Sequence, residues 1–291
     1  MDNMTAKVSC FARAYHYKNN RTHIFADNIA EKILGNDYNQ IAKNMTEGLD
    51  FFCSGFKGTK EEGLRLIVDK QLSPSVLGRS AFCEDKLGDA IADGCKQYIV
   101  FAAGYDTFSL RSRDKSVKVF ELDYPQMIEG KMARINKAQL TSAAISVSCN
   151  LTEEAWKDKL LDVSYVKGKK TYGSLLGISY YLEKTDFEQL IMNISEIMSE
   201  GSAMCFDYPS LDESAETKKT QMLAFGAGEQ MKALYSHKEI DRLLVKHGFK
   251  IEEHLDANDM TNRYFMEYNQ ANPMHQMQAP TGVGYVHAVK S

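Results

Sequence analysis

Several features that would place this chain in a special class are missing from its sequence. Proline is scarce, with 5 residues in 291, and no repeat, low-complexity tract or proline- and glycine-rich linker interrupts the chain. The formal net charge is -4 and the pI is near 6.0, so the basic excess that nucleic-acid or anionic-membrane surfaces normally require is absent. No stretch is long and apolar enough to span a bilayer. We therefore expect a soluble protein with no nucleic-acid partner and no membrane partner.

Paired cysteines and a targeting segment are also missing. The 6 cysteines stand at positions 10, 53, 83, 95, 149 and 205, form no C-x-x-C pair and have no histidine at metal-ligand spacing. The opening "MDNMTAKVSC" has no basic stretch followed by an apolar run, so no secretory signal is expected. These patterns predict buried, reduced cysteines, no metal and a cytoplasmic location.

What the sequence does contain is a regular alternation of short apolar runs and helical patterns. The strand candidates are 97–102, 117–123, 143–149, one run within 171–182, and 202–208; helical patterns cover 125–139, 153–162 and 184–199. Such alternation predicts an α/β domain with a mostly parallel sheet and helices on both faces, as in Rossmann-like folds.

The flanking segments extend this core to one domain of 291 residues. Residues 1–72 read as a helical cap and 73–208 as a cofactor-binding core, whose first helix has Ser73 as N-cap and Pro74 at the first helical position. Residues 209–291 read as a substrate or lid region: a late helical insertion, an amphipathic helix between Ser236 and Gly248, and a final strand in "GVGYVHAVKS". The two glycines of "FGAGEQM" (225–231) are candidates for a lid hinge.

A ligand-binding turn is predicted directly after the first strand. Ala102, Ala103 and Gly104 are small enough for close backbone approach to a ligand, and Asp123 ends the next strand, where it can hydrogen-bond a ribose. This arrangement indicates an adenosine-containing cofactor, although a plain turn is the simpler alternative.

The residues of the turn bear on which cofactor binds. Thr107 stands where a dinucleotide fingerprint has its third glycine, and Asp106 would repel a pyrophosphate. S-adenosylmethionine carries no phosphate and tolerates an acidic turn. A nicotinamide-dependent oxidoreductase is the disfavoured alternative.

Several segments in order carry a family resemblance from about residue 5 to 248. They are "MTAKVSCFARA", "GRSAF", "AAGYDTFSLR", "FELDYP", "NLTEEAW", "LGISYYL" and "CFDYP". Together they resemble the leucine carboxyl methyltransferase-like family, which includes protein phosphatase carboxyl methyltransferases and bacterial O-methyltransferases of the polyketide-tailoring kind. The resemblance implies S-adenosylmethionine as cofactor.

The resemblance also implies roles for individual residues. Arg79 would clamp the methionine carboxylate, because a planar two-pronged donor suits that group. Ala102, Ala103 and Gly104 would pass under the methionine moiety, with Asp106 ordering the turn. Asp123 would bind the ribose hydroxyls, and Asn150 and Leu151 would flank the adenine.

Three positions depart from the family's pattern. Ala102 replaces the first glycine of the turn, Asn150 replaces an aspartate, and Leu176 replaces the glutamate of the fourth strand, near the methionine end of the cofactor. The loss at Leu176 bears more on activity than on binding.

The expected reaction is O-methylation of a carboxylate on a small molecule or peptide. A carboxylate, with a pKa of about 4, is already ionised at neutral pH and needs no general base. No Ser/His/Asp or Cys/His arrangement is visible, and the histidines are scattered. Tyr180 and Tyr181 are candidates for lining the reaction pocket, although such a pair is often half-buried packing. The alternative function is a catalytically impaired S-adenosylmethionine-binding protein that acts through a partner.

Overall fold

A single sheet organises the molecule, seen in a computed structural model that describes residues 4–211 and 231–291. Its strands are β1 Gln97–Phe101, β2 Lys118–Asp123, β3 Ile145–Ser148, β4 Thr171–Leu175, β5 Ala203–Pro209, β6 Phe249–Leu255 and β7 Val283–Lys290. The order is β3-β2-β1-β4-β5-β7-β6. Strands β1 to β5 are parallel, and β7 is antiparallel to both β5 and β6. The predicted α/β, Rossmann-like, mostly parallel fold is therefore confirmed.

Helices connect and cover the strands. In the described residues they are α1 Met4–Asn19, α2 Ala30–Leu34, α3 Asn36–Glu47, α4 Leu49–Phe52, α5 Lys60–Ile67, α6 Ser73–Ala92, α7 Phe108–Arg111, α8 Pro125–Lys137, α9 Trp156–Asp162, α10 Lys184–Ile197, α11 His237–Lys246, α12 Ala257–Met260 and α13 Met266–Ala271. Two π-helical turns, Val68–Leu72 and Thr261–Phe265, lead into α6 and α13, and a 3-10 turn covers Ser179–Tyr181.

Both faces of the sheet are buried, and alternate residues of β1 show how. Ile99 and Phe101 point into a core built with α9, α10 and α11, whereas Tyr98 and Val100 point into a second core built with α6. Side chains of a strand alternate between faces, so a parallel strand covered on both sides is apolar throughout. This explains why "QYIVF" shows no polar alternation.

A third core holds the N-terminal helices at the carboxyl ends of the strands. Phe11 of α1 is fully buried and packs against Tyr38 of α3, with ring centroids 5.0 Å apart. The same core contains Tyr105 from the turn after β1 and Met127 from α8. The helical cap is thereby fixed above the edge of the sheet where a ligand would bind.

Chain punctuation was predicted correctly at two places and wrongly at one. Gly248 follows α11 with a positive φ, and Ser236 forms a capping box with Glu239. Ser73 is not an N-cap: the π-helical turn before it runs directly into α6, and its hydroxyl is buried without a hydrogen-bond partner among the described residues.

In the C-terminal part of the chain, strand β6 was not predicted from the sequence. Most of the late helical insertion and of the "FGAGEQM" hinge lies outside the described residues. Across 4–211 and 231–291, no helix combines the length and apolarity needed to cross a bilayer.

Candidate functional site

A cavity of about 470 Å³ opens at the carboxyl ends of β1, β2 and β4. It is bounded by the turns that follow these strands and by the N-terminal helix α1. Parallel strands bring their carboxyl ends to one edge of a sheet, where ligands of this fold class bind. All nine residues that the sequence analysis assigned to the cofactor line this cavity.

The turn after β1 is held by its own hydrogen bonds. The amide of Asp106 donates to the carbonyl of Ala103 at 2.8 Å, and the Asp106 carboxylate accepts from the amide of Phe108 at 2.8 Å. Asp106 therefore orders the turn locally, as the resemblance implied.

Backbone conformation at this turn favours glycine at two positions. Gly104 has a φ of 47°, and Ala102 has a φ of 51°. The left-handed region costs a residue with a Cβ roughly 1–2 kcal/mol. Ala102 thus adopts a conformation that the glycine of the family's pattern would adopt more easily.

Asp123 joins the ends of β1 and β2. One carboxylate oxygen accepts from the amide of Gly104 at 2.7 Å, and the other accepts from the amide of Tyr124 at 2.7 Å. Burial raises the pKa of this carboxyl above its ordinary value, although the two amide bonds oppose the shift. An ionised carboxylate has about four lone-pair sites, so two remain for the hydroxyls of a ribose.

Arg79 lines the cavity from α6 and is paired with a buried acid. Its Nη1 atom is 3.3 Å from Oδ2 of Asp207, whose side chain is 0% exposed. Burial opposes the charge of Arg79, but Asp207 holds the pKa of the guanidinium above its ordinary value. A guanidinium has five N–H donors, so Arg79 retains donors for a carboxylate.

Asn150 and Leu151, which follow β3, also line the cavity. The Asn150 side-chain oxygen accepts from the amide of Thr152 at 3.1 Å and from the hydroxyl of Tyr124 at 3.2 Å. Leu151 belongs to the first core and is 8% exposed. An apolar wall beside an amide side chain suits a heteroaromatic ring.

The cavity lining contains Leu176 and, of the tyrosine pair, Tyr181. Leu176 packs against the second core and offers no polar atom in its side chain. Tyr181 lines the cavity, whereas Tyr180 is absent from the described lining and is 7% exposed. Its hydroxyl donates to Oδ2 of Asp207 at 2.9 Å, so the placement of Tyr180 in the pocket is corrected.

Sequence reasoning missed three charged residues of this region: Arg13, Asp207 and Lys232. Arg13 on α1 lines the cavity, donates from Nη2 to the carbonyl of Tyr105 at 2.6 Å and from Nε to Asp27 at 2.8 Å. Burial alone would raise the pKa of Asp27, but Arg13 and Arg111 hold it below its ordinary value.

A signal for two of these residues was present. Arg13 stands in "CFARAY" and Asp207 in "CFDYP", and a charge within an apolar segment is rarely buried unless it is paired. Their partners lie 14 and 128 residues away along the chain, which the sequence alone does not reveal.

The donor set fits S-adenosylmethionine. It supplies a cation for a carboxylate, a carboxylate for ribose hydroxyls and an apolar wall for a purine. No group of three or more histidine, cysteine or acidic side chains in the described part of the chain could hold a metal ion.

The chain is similar to several known proteins. The model of the family described as "Leucine carboxyl methyltransferase" matches residues 6–195. A Bacillus subtilis (strain 168) protein, YktD, provisionally named an S-adenosyl-L-methionine-dependent methyltransferase, is 33% identical over 99% of this chain and 97% of its own length. A protein of the same provisional name from Mycolicibacterium paratuberculosis is 27% identical over 60% of this chain and 58% of its own.

Solved structures support the fold. A methyltransferase, so named provisionally, from Thermobifida fusca superimposes with a TM-score of 0.58 at 13% identity, over 98% of this chain and 94% of that one. A DUF574 family protein from Streptomyces avermitilis gives 0.59 at 10% identity, over 97% of each chain. The match to the family model, together with the relative that matches over nearly its full length, identifies S-adenosylmethionine as the cofactor. The chain belongs to the leucine carboxyl methyltransferase family and is an S-adenosylmethionine-dependent methyltransferase.

Proposed function

We propose that this methyltransferase acts on oxygen, and that its acceptor is a carboxylate of a small molecule or peptide. S-adenosylmethionine supplies an electrophilic methyl group when it is bound. A carboxylate acceptor arrives ionised and gives an ester without releasing a proton, whereas a phenol or alcohol needs a base.

The observation that carries the proposal is the shortage of a usable base in the cavity. None of the chain's histidines is among the described lining residues. The Asp106 carboxylate is tied into its turn, and Asp123 is assigned to the ribose. Burial raises the pKa of the Cys149 thiol to about 12, so the thiol stays protonated.

A cation for the acceptor is available in the lining of the cavity. Lys232 lines the cavity, its amide donates to the carbonyl of Tyr180 at 2.9 Å, and its side chain is 47% exposed. Its ammonium lies 3.8 Å from Glu183, beyond hydrogen-bond distance. Lys232 can therefore pair with an incoming carboxylate while Arg79 holds the cofactor.

The test is the chemical lability of the product. The purified chain is incubated with S-adenosylmethionine labelled in the methyl group and a panel of carboxylic acids, each matched by its primary amide. We expect label that mild base releases as volatile methanol from the acids only. Label stable to base, or transferred equally to the amides, would contradict the proposal.

Two variants test the acceptor site. Lys232→Met should raise KM for the acid with little change in cofactor affinity. Lys238→Met, on the exposed side of α11, is the matched control and should leave KM unchanged.

A second candidate is a cofactor-binding protein with impaired catalysis that acts through a partner. It is favoured by the conformation of Ala102 and by the apolar side chain of Leu176 at the methionine end. S-adenosylmethionine binding without S-adenosylhomocysteine formation across the panel would support it over the enzyme.

We also propose a cytoplasmic location and an acceptor that is neither nucleic acid nor membrane. The free thiols of the cysteines support the location, and the acidic net charge supports an acceptor of neither kind. Membership in a methyltransferase family favours S-adenosylmethionine over the nicotinamide alternative.

A further inference from the structure

The side chain of Asp207 is fully buried near the cavity, and Asp207 is not among the described residues that line it. It lies in β5, and its carboxylate accepts three hydrogen bonds. Oδ1 accepts from the amide of Gly177 at 2.7 Å, and Oδ2 accepts from the hydroxyl of Tyr180 at 2.9 Å and from Nη1 of Arg79 at 3.3 Å. An acid buried in this way is retained only where its partners satisfy its charge.

The three donors come from two different elements beside the cavity. Arg79 belongs to α6, while Gly177 and Tyr180 belong to the turn after β4. The turn also contacts the arginine directly: a Cβ added to Gly177 would lie 2.6 Å from Nη1 of Arg79. Asp207 therefore fixes the guanidinium and the turn relative to each other.

Only part of the guanidinium is used by this contact. Arg79 also lines the cavity, and in the described residues its one hydrogen bond is to Asp207. The remaining N–H groups are available to a ligand, and their direction is set by the bond to Asp207. A free arginine side chain would have to be ordered on binding, at a cost in affinity.

We propose that Asp207 is a positioning residue for the amino-acid part of S-adenosylmethionine. It orients Arg79 toward the methionine carboxylate, and it holds the turn 177–181 that bounds the same end of the cavity. Tyr180 shares this role through its bond to the same carboxylate oxygen. The nucleoside part of the cofactor, held by Asp123 and the loop at 150–151, does not depend on Asp207.

Two ligands separate this role from a general structural one. S-adenosylhomocysteine carries the amino-acid group, whereas 5′-methylthioadenosine has the same nucleoside and thioether but no carboxylate or ammonium. Calorimetry measures both affinities for the wild type and for Asp207→Asn. We expect S-adenosylhomocysteine to lose about tenfold or more, as for a charged hydrogen bond, and 5′-methylthioadenosine to change by less than about twofold.

Milder variants keep the test decisive if Asp207→Asn does not fold. Tyr180→Phe removes one donor to Oδ2 and should weaken S-adenosylhomocysteine selectively, by a smaller factor. Ser179→Ala is the matched control, because its hydroxyl donates at 2.7 Å to the backbone carbonyl of Asp207 and not to the carboxylate. It should leave the ratio of the two affinities unchanged.

Both ligand affinities are measured without a methyl acceptor. Equal losses for both ligands in Tyr180→Phe or Asp207→Asn, or no loss for either, would overturn the positioning role. An unchanged affinity for S-adenosylhomocysteine in Arg79→Ala would instead remove Arg79 from the site. Neither result bears on which acceptor the enzyme methylates, so failure here is distinct from failure of the proposed function.

Discussion

Substituting Gly177 by alanine should displace Arg79 from the cofactor site without unfolding the protein. Gly177 has a φ of 69°, and an added Cβ would lie 2.6 Å from Nη1 and 2.9 Å from Cζ of Arg79. Both atoms are at the end of a long side chain, so the guanidinium can move aside. That movement breaks its hydrogen bond to Asp207 and its alignment toward the ligand.

Gly177→Ala should affect both the stability of the protein and its affinity for the ligand. The left-handed conformation costs alanine roughly 1–2 kcal/mol in the free energy of unfolding. Losing a hydrogen bond between charged groups costs about 1.5–3 kcal/mol in binding, or about 10- to 150-fold in Kd for S-adenosylhomocysteine.

Gly55→Ala provides the matched control. Gly55 has a φ of 77°, and an added Cβ there would meet nothing within 4 Å. Both variants should melt a few degrees below the wild type in thermal unfolding, but calorimetry should show weakened S-adenosylhomocysteine binding only in Gly177→Ala. Equal affinities in the two variants would refute the placement of Arg79 at the ligand.

Three further predictions concern other parts of the chain. Asp123→Ala should weaken S-adenosylmethionine in calorimetry while inhibition by free methionine stays nearly unaltered, because only the nucleoside has ribose hydroxyls; equal losses would indicate a role in the fold. Leu176→Glu should lower the thermal stability of the apoprotein, since it partly buries a new carboxylate when no cofactor is bound, yet tighten S-adenosylmethionine by on the order of 1–3 kcal/mol through its ammonium; weaker binding without added ligand-induced stabilisation would contradict this. Burial, aided by His23 and Arg65, lowers the pKa of His16 to about 3, and its Nε2 accepts from the amide of Ile24 at 3.0 Å. The free energy of unfolding should therefore fall as the pH drops from about 6.5 toward 3. This group contributes at most about 1.4 kcal/mol per pH unit to that fall. Denaturant unfolding at several pH values should show a shallower slope for His16→Gln, and an unchanged slope would rule out this origin.

Local patterns were sufficient to predict the parallel core, and with the family resemblance they pointed to residues that line one cavity. Strands β1, β2 and β4 are buried over nearly their whole length, and a parallel sheet brings their ends together. Residues at or just after the end of each strand, such as Gly104, Asp123 and Leu176, therefore meet in one cavity even though they are far apart in sequence.

Features that depend on distant partners could not be predicted in the same way. Strand β6, "FKIEEHL", carries charges and lies at the edge of the sheet, so it lacks the apolar run that marks the central strands. Ser73 looks like an N-cap until the preceding π-helical turn is seen to continue into α6. Arg79 pairs with Asp207, which lies 128 positions away along the chain. The same carboxylate accepts from Tyr180, which is absent from the described lining of the pocket.

The most direct test of the central claim is a crystal structure of the chain with S-adenosylhomocysteine. The account predicts ligand density in the cavity at the carboxyl ends of β1, β2 and β4, with the amino-acid carboxylate on Arg79 and the ribose hydroxyls on Asp123. Ligand density outside this cavity, or inside it with the ribose on Arg79 and the amino acid at Asp123, would contradict the account.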